Sequence, residues 1–265
     1  MMNLYDALVA AKNSKDNKVS VPEKWGQGRA TFGGLVAGIL FEKILPLVEK
    51  GRPVKSIMVS FIAPITPGES DVHVRVLREG KAATQVQATA YQNDQACAVV
   101  LASFGADRES TINIEAQCAP SFHAPQDTKE FPFIQGLTPD FSQYFDYRYT
   151  QGNMPFMGNG EHKIGGFIKL HEPAKGPIQI SELLSLLDAW PPTVFALLKR
   201  PTSGSTLAWN ISFVSEPEDC TANDWWQYEA DIKTSAHGYS HIDASMWDKH
   251  GKLTLMSRQT VSVFA

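Results

Sequence analysis

Long hydrophobic runs are missing from this chain. No stretch reaches the ~18 uninterrupted apolar residues that a membrane-spanning helix needs, so no membrane span is expected. Cysteine is scarce: Cys97, Cys118 and Cys220 form no paired framework and no C-x-x-C, which excludes a disulfide scaffold. Charge of one sign is not in excess either. A formal net charge of −4 leaves no basic surplus to draw the protein to nucleic acid or to an acidic membrane. The opening residues Met1 to Asp6 carry no basic start and no apolar run, so no secretory signal is expected and the location reads as cytoplasmic. Metal and cofactor signatures are also lacking. His237 and His241 share a face of a predicted strand, but no carboxylate or thiol joins them. Gly33-Gly34 is followed by no G-K-[ST], and Ser203-Gly204-Ser205 is not G-x-S-x-G. No cofactor and no metal are expected.

What is present is a core-forming composition and a repeat. The chain has 265 residues, of which 43% are hydrophobic and 20% charged, enough to bury a sizeable interior. The segment Phe32-Gly33-Gly34-Leu35-Val36 opens a helix, Met58-Val59-Ser60-Phe61 forms a strand, and a strand ends the set at Phe104. The same order returns as Ser181-Glu182-Leu183-Leu184, then Asn210-Ile211-Ser212-Phe213, then a last strand through Gln259 and Val261. Half-length repetition of this kind dictates the architecture. Apolar spacing predicts helices over 2–13, 33–50 and 182–199, the last N-capped by Ser181. Period-2 alternation predicts strands over 54–62, 71–79, 83–92 and 95–104, with counterparts over 205–214, 225–233, 237–247 and 252–264. Two further strands are expected at 144–149 and 164–170. Residues 17–30 read as irregular. Helix plus strand meander, twice, is α+β rather than a parallel βαβ sheet. The expected division is 1–107, a linker over 108–138 rich in proline, and 139–265.

One acid stands out. Asp188 lies among Leu183, Leu184, Leu186, Leu187 and Trp190, on the buried stripe of its helix. Pro191 and Pro192 follow and cannot donate to the carbonyls of Leu187 and Asp188. A buried carboxylate must be hydrogen-bonded, paired or functional. The copy-one helix has nothing chargeable until Glu42. Thr206 and Gln259 lie on predicted strands of the same half. An Asp, a Thr and a Gln together suit general-base hydrolysis, in which the carboxylate takes a proton from a water that the other two orient.

These residues give the chain a family resemblance. It resembles the acyl-CoA thioesterases of the double hotdog fold, the acyl-CoA thioesterase II type, over essentially its whole length. The matches are Phe32-Gly33-Gly34 with Gly38, Ser60-Phe61 through Pro67-Gly68, and Asp188, Thr206 and Gln259. The resemblance implies two tandem hotdog domains, each a curved antiparallel sheet around a central helix. It implies hydrolysis of an acyl-CoA, with Asp188 as base, Thr206 and Gln259 holding the water, and Gly33 and Gly34 near the oxyanion. It also implies a homo-oligomer, a dimer or tetramer. Two alternatives stay open: an enoyl-thioester hydratase of the same fold, and a protein that binds an acyl chain without hydrolysing it.

Overall fold

Valines alternating with polar residues, as in Val72 and Val74 against His73 and Arg75, place one face of a strand on a core, although Val76 beyond them is 41% exposed. Antiparallel ladders of this kind make up most of the chain. The structure, a computed structural model, describes residues 2–158 and 160–264. Its helices are α1 (Leu4–Asn13), α2 (Gly33–Ile44) and α3 (Ile180–Asp188). The strands of the first half are β1 (Lys18–Val21), β2 (Gly26–Gln27), β3 (Ala30–Thr31), β4 (Val54–Phe61), β5 (Gly68–Glu79), β6 (Ala83–Gln92) and β7 (Gln95–Gly105). Those that follow are β8 (Lys129–Glu130), β9 (Phe145–Gln151), β10 (Lys163–Leu170), β11 (Gly204–Phe213), β12 (Trp226–Ala236), β13 (Tyr239–Trp247) and β14 (Leu253–Val263).

Twelve strands form one sheet in the order β1-β5-β6-β7-β4-β11-β14-β13-β12-β10-β9-β8, and β2 pairs with β3 apart from it. Each half therefore contributes the same run outward from the centre, and the fold is a double hotdog. The halves join where β4 and β11 run antiparallel, from Ala208 opposite Ser60 to Ser212 opposite Ser56. The middle pair is Met58 with Asn210, the positions that the sequence repeat equates. A local twofold axis thus passes through the centre of the sheet.

The two central helices obey the same symmetry. Gly34 meets Ser185 and Gly38 meets Ser181, so α2 and α3 run antiparallel along a seam of small residues. A Cβ on Gly34 would lie 2.9 Å from the Ser185 Cα and 2.6 Å from the Phe32 ring; one on Gly38 would lie 3.1 Å from the Ser181 carbonyl oxygen. Only glycine permits backbones this close. Aromatic stacking clasps the halves together near the helix ends. Trp25 lies flat on Tyr144 at 4.0 Å and Phe32 on Phe141 at 4.1 Å, geometries that add to simple area burial.

Several boundaries differ from the sequence expectation, each for a local reason. The helix expected over 33–50 stops at Ile44, and Pro46 directs the chain into a 3-10 turn. The helix expected over 182–199 is α3, which begins two residues earlier and ends at Asp188. Its N-cap is Gln179, not Ser181: the Glu182 carboxylate accepts the Gln179 N–H at 2.8 Å in a capping box. Beyond Asp188 the two prolines end the helix, and the Tyr147 hydroxyl donates to the freed Ala189 carbonyl at 3.1 Å. His237 sits at the turn between β12 and β13 with φ 53°, so it does not share a strand face with His241. Residues 17–30, expected to be irregular, hold three short strands. Part of 108–138 pairs as β8 or lies on the second half, where the Trp247 indole donates to the Gln117 carbonyl at 3.0 Å.

The helix seam yields a test. Gly34→Ala sets a methyl group against the Ser185 backbone, and overpacking of this kind costs about 1–3 kcal/mol. The urea midpoint should fall by that free energy divided by the m-value, with the m-value itself unchanged. An unaltered midpoint would show that the seam is slack.

Candidate active site

Helix α2 starts without help from its own N-cap. Phe32 offers no side-chain acceptor there, so the first N–H groups of the helix lack an intrahelical partner. The antiparallel seam sets the C-terminal end of α3 against this start, and Asp188 is the last residue of α3. Its carboxylate accepts a hydrogen bond from the Gly34 backbone N–H. It comes so close to Gly33 that a Cβ there would lie 2.9 Å from Oδ2. The other oxygen, Oδ1, accepts from the Gln259 side-chain amide at 2.9 Å.

The electrostatics of Asp188 are a contest. Burial pushes its pKa up from 3.8 to about 7, against the downward pull of the Gln259 amide and the Gly34 N–H. Desolvation is the larger effect. The carboxyl group is therefore half ionised near neutrality, the condition under which a general base works best. Tyr147 and Tyr228, whose hydroxyls feel the Asp188 charge, are pushed upward chiefly by burial and stay neutral.

Thr206 reaches the site through a β-bulge. On β11, Trp209 and Ile211 point inward and are buried, so strict alternation would also turn Leu207 inward. The register between β11 and β14 slips between Thr206 and Ala208. Leu207 is left 40% exposed, and Thr206 faces Val261 on the inner surface, next along from Trp209 opposite Gln259. The extra residue re-aims one side chain, a common use of a bulge.

Asp188, Thr206, Gln259 and Gly33 border one cavity of about 230 Å³ between the two halves. The structure thus brings these four together, while Gly34 lies just behind with its N–H on the carboxylate. The remaining wall is largely apolar and includes Val36, Phe61, Cys97, Ala98, Trp190 and Phe195. Of these, Val36, Phe61 and Cys97 gave no functional signal in the sequence, because each is an ordinary residue of an amphipathic element.

The twofold seam also locates the counterpart of Asp188. Exchanging Gly34 with Ser181 and Gly38 with Ser185 sets Phe41 in the place of Asp188, one residue before Glu42. Glu42 is buried and accepts the Ser181 hydroxyl at 2.6 Å. Helix α1 lies on that side, with Leu8 packed on Gly38, and Tyr5, Lys12 and Glu42 border a second cavity of about 270 Å³. So the acid of the first copy is present but tied to the neighbouring helix beneath α1. Among the described residues no group of three His, Cys, Asp or Glu side chains is placed to hold a metal, and no helix is long and apolar enough to cross a membrane.

Both halves of the chain are similar to known proteins. The family model of the acyl-CoA thioesterase N-terminal domain matches residues 21–105, and that of the acyl-CoA thioesterase C-terminal domain matches residues 116–263. No curated protein matches the chain in sequence. Among solved structures, a hot dog fold protein of unknown function from Alicyclobacillus acidocaldarius is similar at 21% identity and a TM-score of 0.85, covering 98% of each chain. A putative thioesterase II from Thermobifida fusca shares 18% identity with a TM-score of 0.82, covering 100% of this chain and 98% of its own. The acyl-CoA thioesterase II TesB2 from Mycobacterium marinum shares 16% identity with a TM-score of 0.76, covering 97% and 98%. With both halves matched in order by their own models, the chain belongs to the acyl-CoA thioesterase family.

Proposed function

We propose that the protein hydrolyses an acyl-CoA or a related acyl thioester to the free acid and the thiol, with Asp188 as the general base. The observation that carries this reading is the Asp188 carboxylate: raised to about 7, hydrogen-bonded by Gln259, and bordering a largely apolar cavity at the start of a helix. A water held by the Thr206 hydroxyl and the Gln259 carbonyl attacks the thioester carbon while its proton passes to Asp188. The developing oxyanion meets N–H groups at the start of α2, with Gly33 free of a side chain to admit it. Collapse breaks the C–S bond, and the proton on Asp188 is released to the thiolate or to solvent. A thiolate leaves readily, so a second acid is not required. None of the described residues lining the cavity is a histidine, which disfavours an Asp–His hydratase pair. A cytoplasmic location and a homo-oligomer are part of the same reading, and Met58 and Met256, exposed on the outer sheet face, are apolar surface for the oligomer contact.

Thiol release from acyl-CoA tests the chemistry. With the wild-type chain, kcat/KM should rise with pH through about 7 as Asp188 ionises. Asp188→Asn should lower it by about 100- to 10,000-fold, the usual worth of a positioned base. Because the Gln259 amide pulls the Asp188 pKa down, Gln259→Leu should shift the acid limb to higher pH. A profile flat between pH 5 and 9, or an active Asp188→Asn, sinks the assignment.

Stability supplies a second readout that is independent of turnover. A carboxyl raised from 3.8 to about 7 binds a proton more tightly folded than unfolded, so stability falls as pH rises between those values. Below pH 4 the group is protonated in both states and the penalty vanishes. Asp188→Asn removes the charge, so at pH 8 it should be more stable than wild type by about 1–3 kcal/mol, with the curves converging near pH 4. Denaturant titrations at the two pH values measure this; a variant less stable at pH 8 than at pH 4, relative to wild type, contradicts it.

A further inference from the structure

Helix α3 ends differently from its two companions. Helix α1 closes with the Ser14 N–H on the Ala10 carbonyl, and α2 with the Leu45 N–H on the Phe41 carbonyl. Helix α3 runs into Pro191 and Pro192, which have no N–H to give. A side chain of another element supplies a donor instead. Tyr147, 2% exposed on β9, donates its hydroxyl to the Ala189 carbonyl at 3.1 Å, one residue past Asp188. Its ring also meets Trp190 edge-on, with centroids 5.9 Å apart. Within the sheet Tyr147 lies opposite Ile168 on β10, so the ladder fixes its backbone.

From this geometry we infer that Tyr147 is a positioning residue: its hydroxyl anchors the proline-broken end of α3 to the sheet and so holds the Asp188 carboxylate on the Gly34 N–H and the Gln259 amide. The inference rests on the reading of Asp188 as the base, and it adds a residue that does not border the cavity. The need for an anchor is geometric. A catalytic group has to be held within about 0.5 Å of its productive position. Asp188 is the last residue of a helix of 9 residues, where backbone ends fray unless something ties them down. The phenol suits the task, because burial pushes its pKa well above the ordinary value and it remains a donor while Asp188 titrates. Tyr149 supplies the contrast. It lies on the same strand face, and its ring packs on Trp190 at 4.8 Å, but its buried hydroxyl has no hydrogen-bond partner among the described residues. The anchoring bond, not the ring, sets Tyr147 apart.

The test is Tyr147→Phe, with Tyr149→Phe beside it. The first keeps the ring and loses the anchor. Asp188 then drifts from the Gln259 amide and the Gly34 N–H, the two contacts that lower its pKa, so its titration moves to higher pH. Tyr228, whose hydroxyl also feels the Asp188 charge, stays neutral, and Cys97, the other titratable side chain among the described lining residues, is the same in every variant. In thiol release, kcat/KM at pH 8 should fall by about tenfold. The ratio of kcat/KM at pH 6 to that at pH 8 should fall by about two- to fivefold as well. Tyr149→Phe should leave that ratio at the wild-type value. The ratio is internal to one variant, so partial loss of folded protein does not mimic it. Should Tyr147→Phe fail to fold, 4-fluorophenylalanine at position 147 fills the space of the hydroxyl without donating and reads the same ratio. A lowered urea midpoint with an unmoved ratio makes the bond merely structural and overturns the inference, and so does an equal shift in Tyr149→Phe. Carbon-13 NMR of the Asp188 carboxyl, its signal identified by its loss in Asp188→Asn, makes the same comparison without turnover. Wild type that releases no thiol therefore overturns the thioesterase reading, while the carboxyl titration still decides the role of Tyr147.

Discussion

The placement of one carboxylate at the start of the neighbouring helix is the constraint on which the site depends. Asp188 is drawn there by the unsatisfied N–H groups of α2 and by the Gln259 amide, and both stabilise its ionised form. Burial among the two halves works the other way and wins, bringing the group to about 7. Neither influence alone would give a carboxyl that titrates near neutral pH. An exposed Asp would ionise too readily to hold a proton in transit, and an unassisted buried one would stay protonated. The glycines at 33, 34 and 38 matter because they let the helices approach until the carboxylate reaches the helix start. Packing therefore sets the electrostatics here.

The twofold arrangement explains why a continuous twelve-stranded sheet forms from two modest halves. Each half would expose an unpaired edge at β4 or β11, a template for association. Pairing the edges to one another through Met58 and Asn210 removes both at once. The same axis relates the ends of α2 and α3, so a single rigid relation between the halves governs sheet, helix seam and cavity together. The aromatic clasp of Trp25 on Tyr144 and Phe32 on Phe141 holds that relation from the side of the chain that enters α2.

Much of this was legible in the sequence, and the reasons differ by element. Strands β4 to β7 and β11 to β14 were readable because their inner and outer faces alternate and because turns such as Asp248 to Gly251 carry strong local chemistry; Asp248 accepts from the N–H groups of His250 and Lys252. Asp188 was readable because an acid on an apolar stripe before Pro191-Pro192 breaks a pattern. The limits of α3 were not, since Gln179 and Glu182 form their capping box around a Ser181 that looks like a better cap in isolation. Nor was the orientation of Thr206, which depends on a one-residue bulge that no local motif announces. The short strands β1 and β8 were missed for a related reason: they are recruited by neighbours across the sheet, not by their own periodicity. The hydrogen bond from the Gly34 N–H to the Asp188 carboxylate was not legible either, because it depends on how two distant helices cross.

Helix α1 contributes to the asymmetry between the two copies. It lays Leu8 on Gly38, and its Tyr5 and Lys12 line a separate cavity of about 270 Å³ that Glu42 borders. No such cover lies over Gly34 and Asp188, where the cavity opens between Ile62 and Leu207. The difference is also chemical. Gly33 and Gly34 present bare backbone to Asp188, whereas the corresponding entry of α3 carries Ser181, whose hydroxyl donates to Glu42. The first copy lends Val36, Phe61, Cys97 and Ala98 to the cavity that Asp188, Thr206 and Gln259 border, so the two halves contribute unequal parts to it.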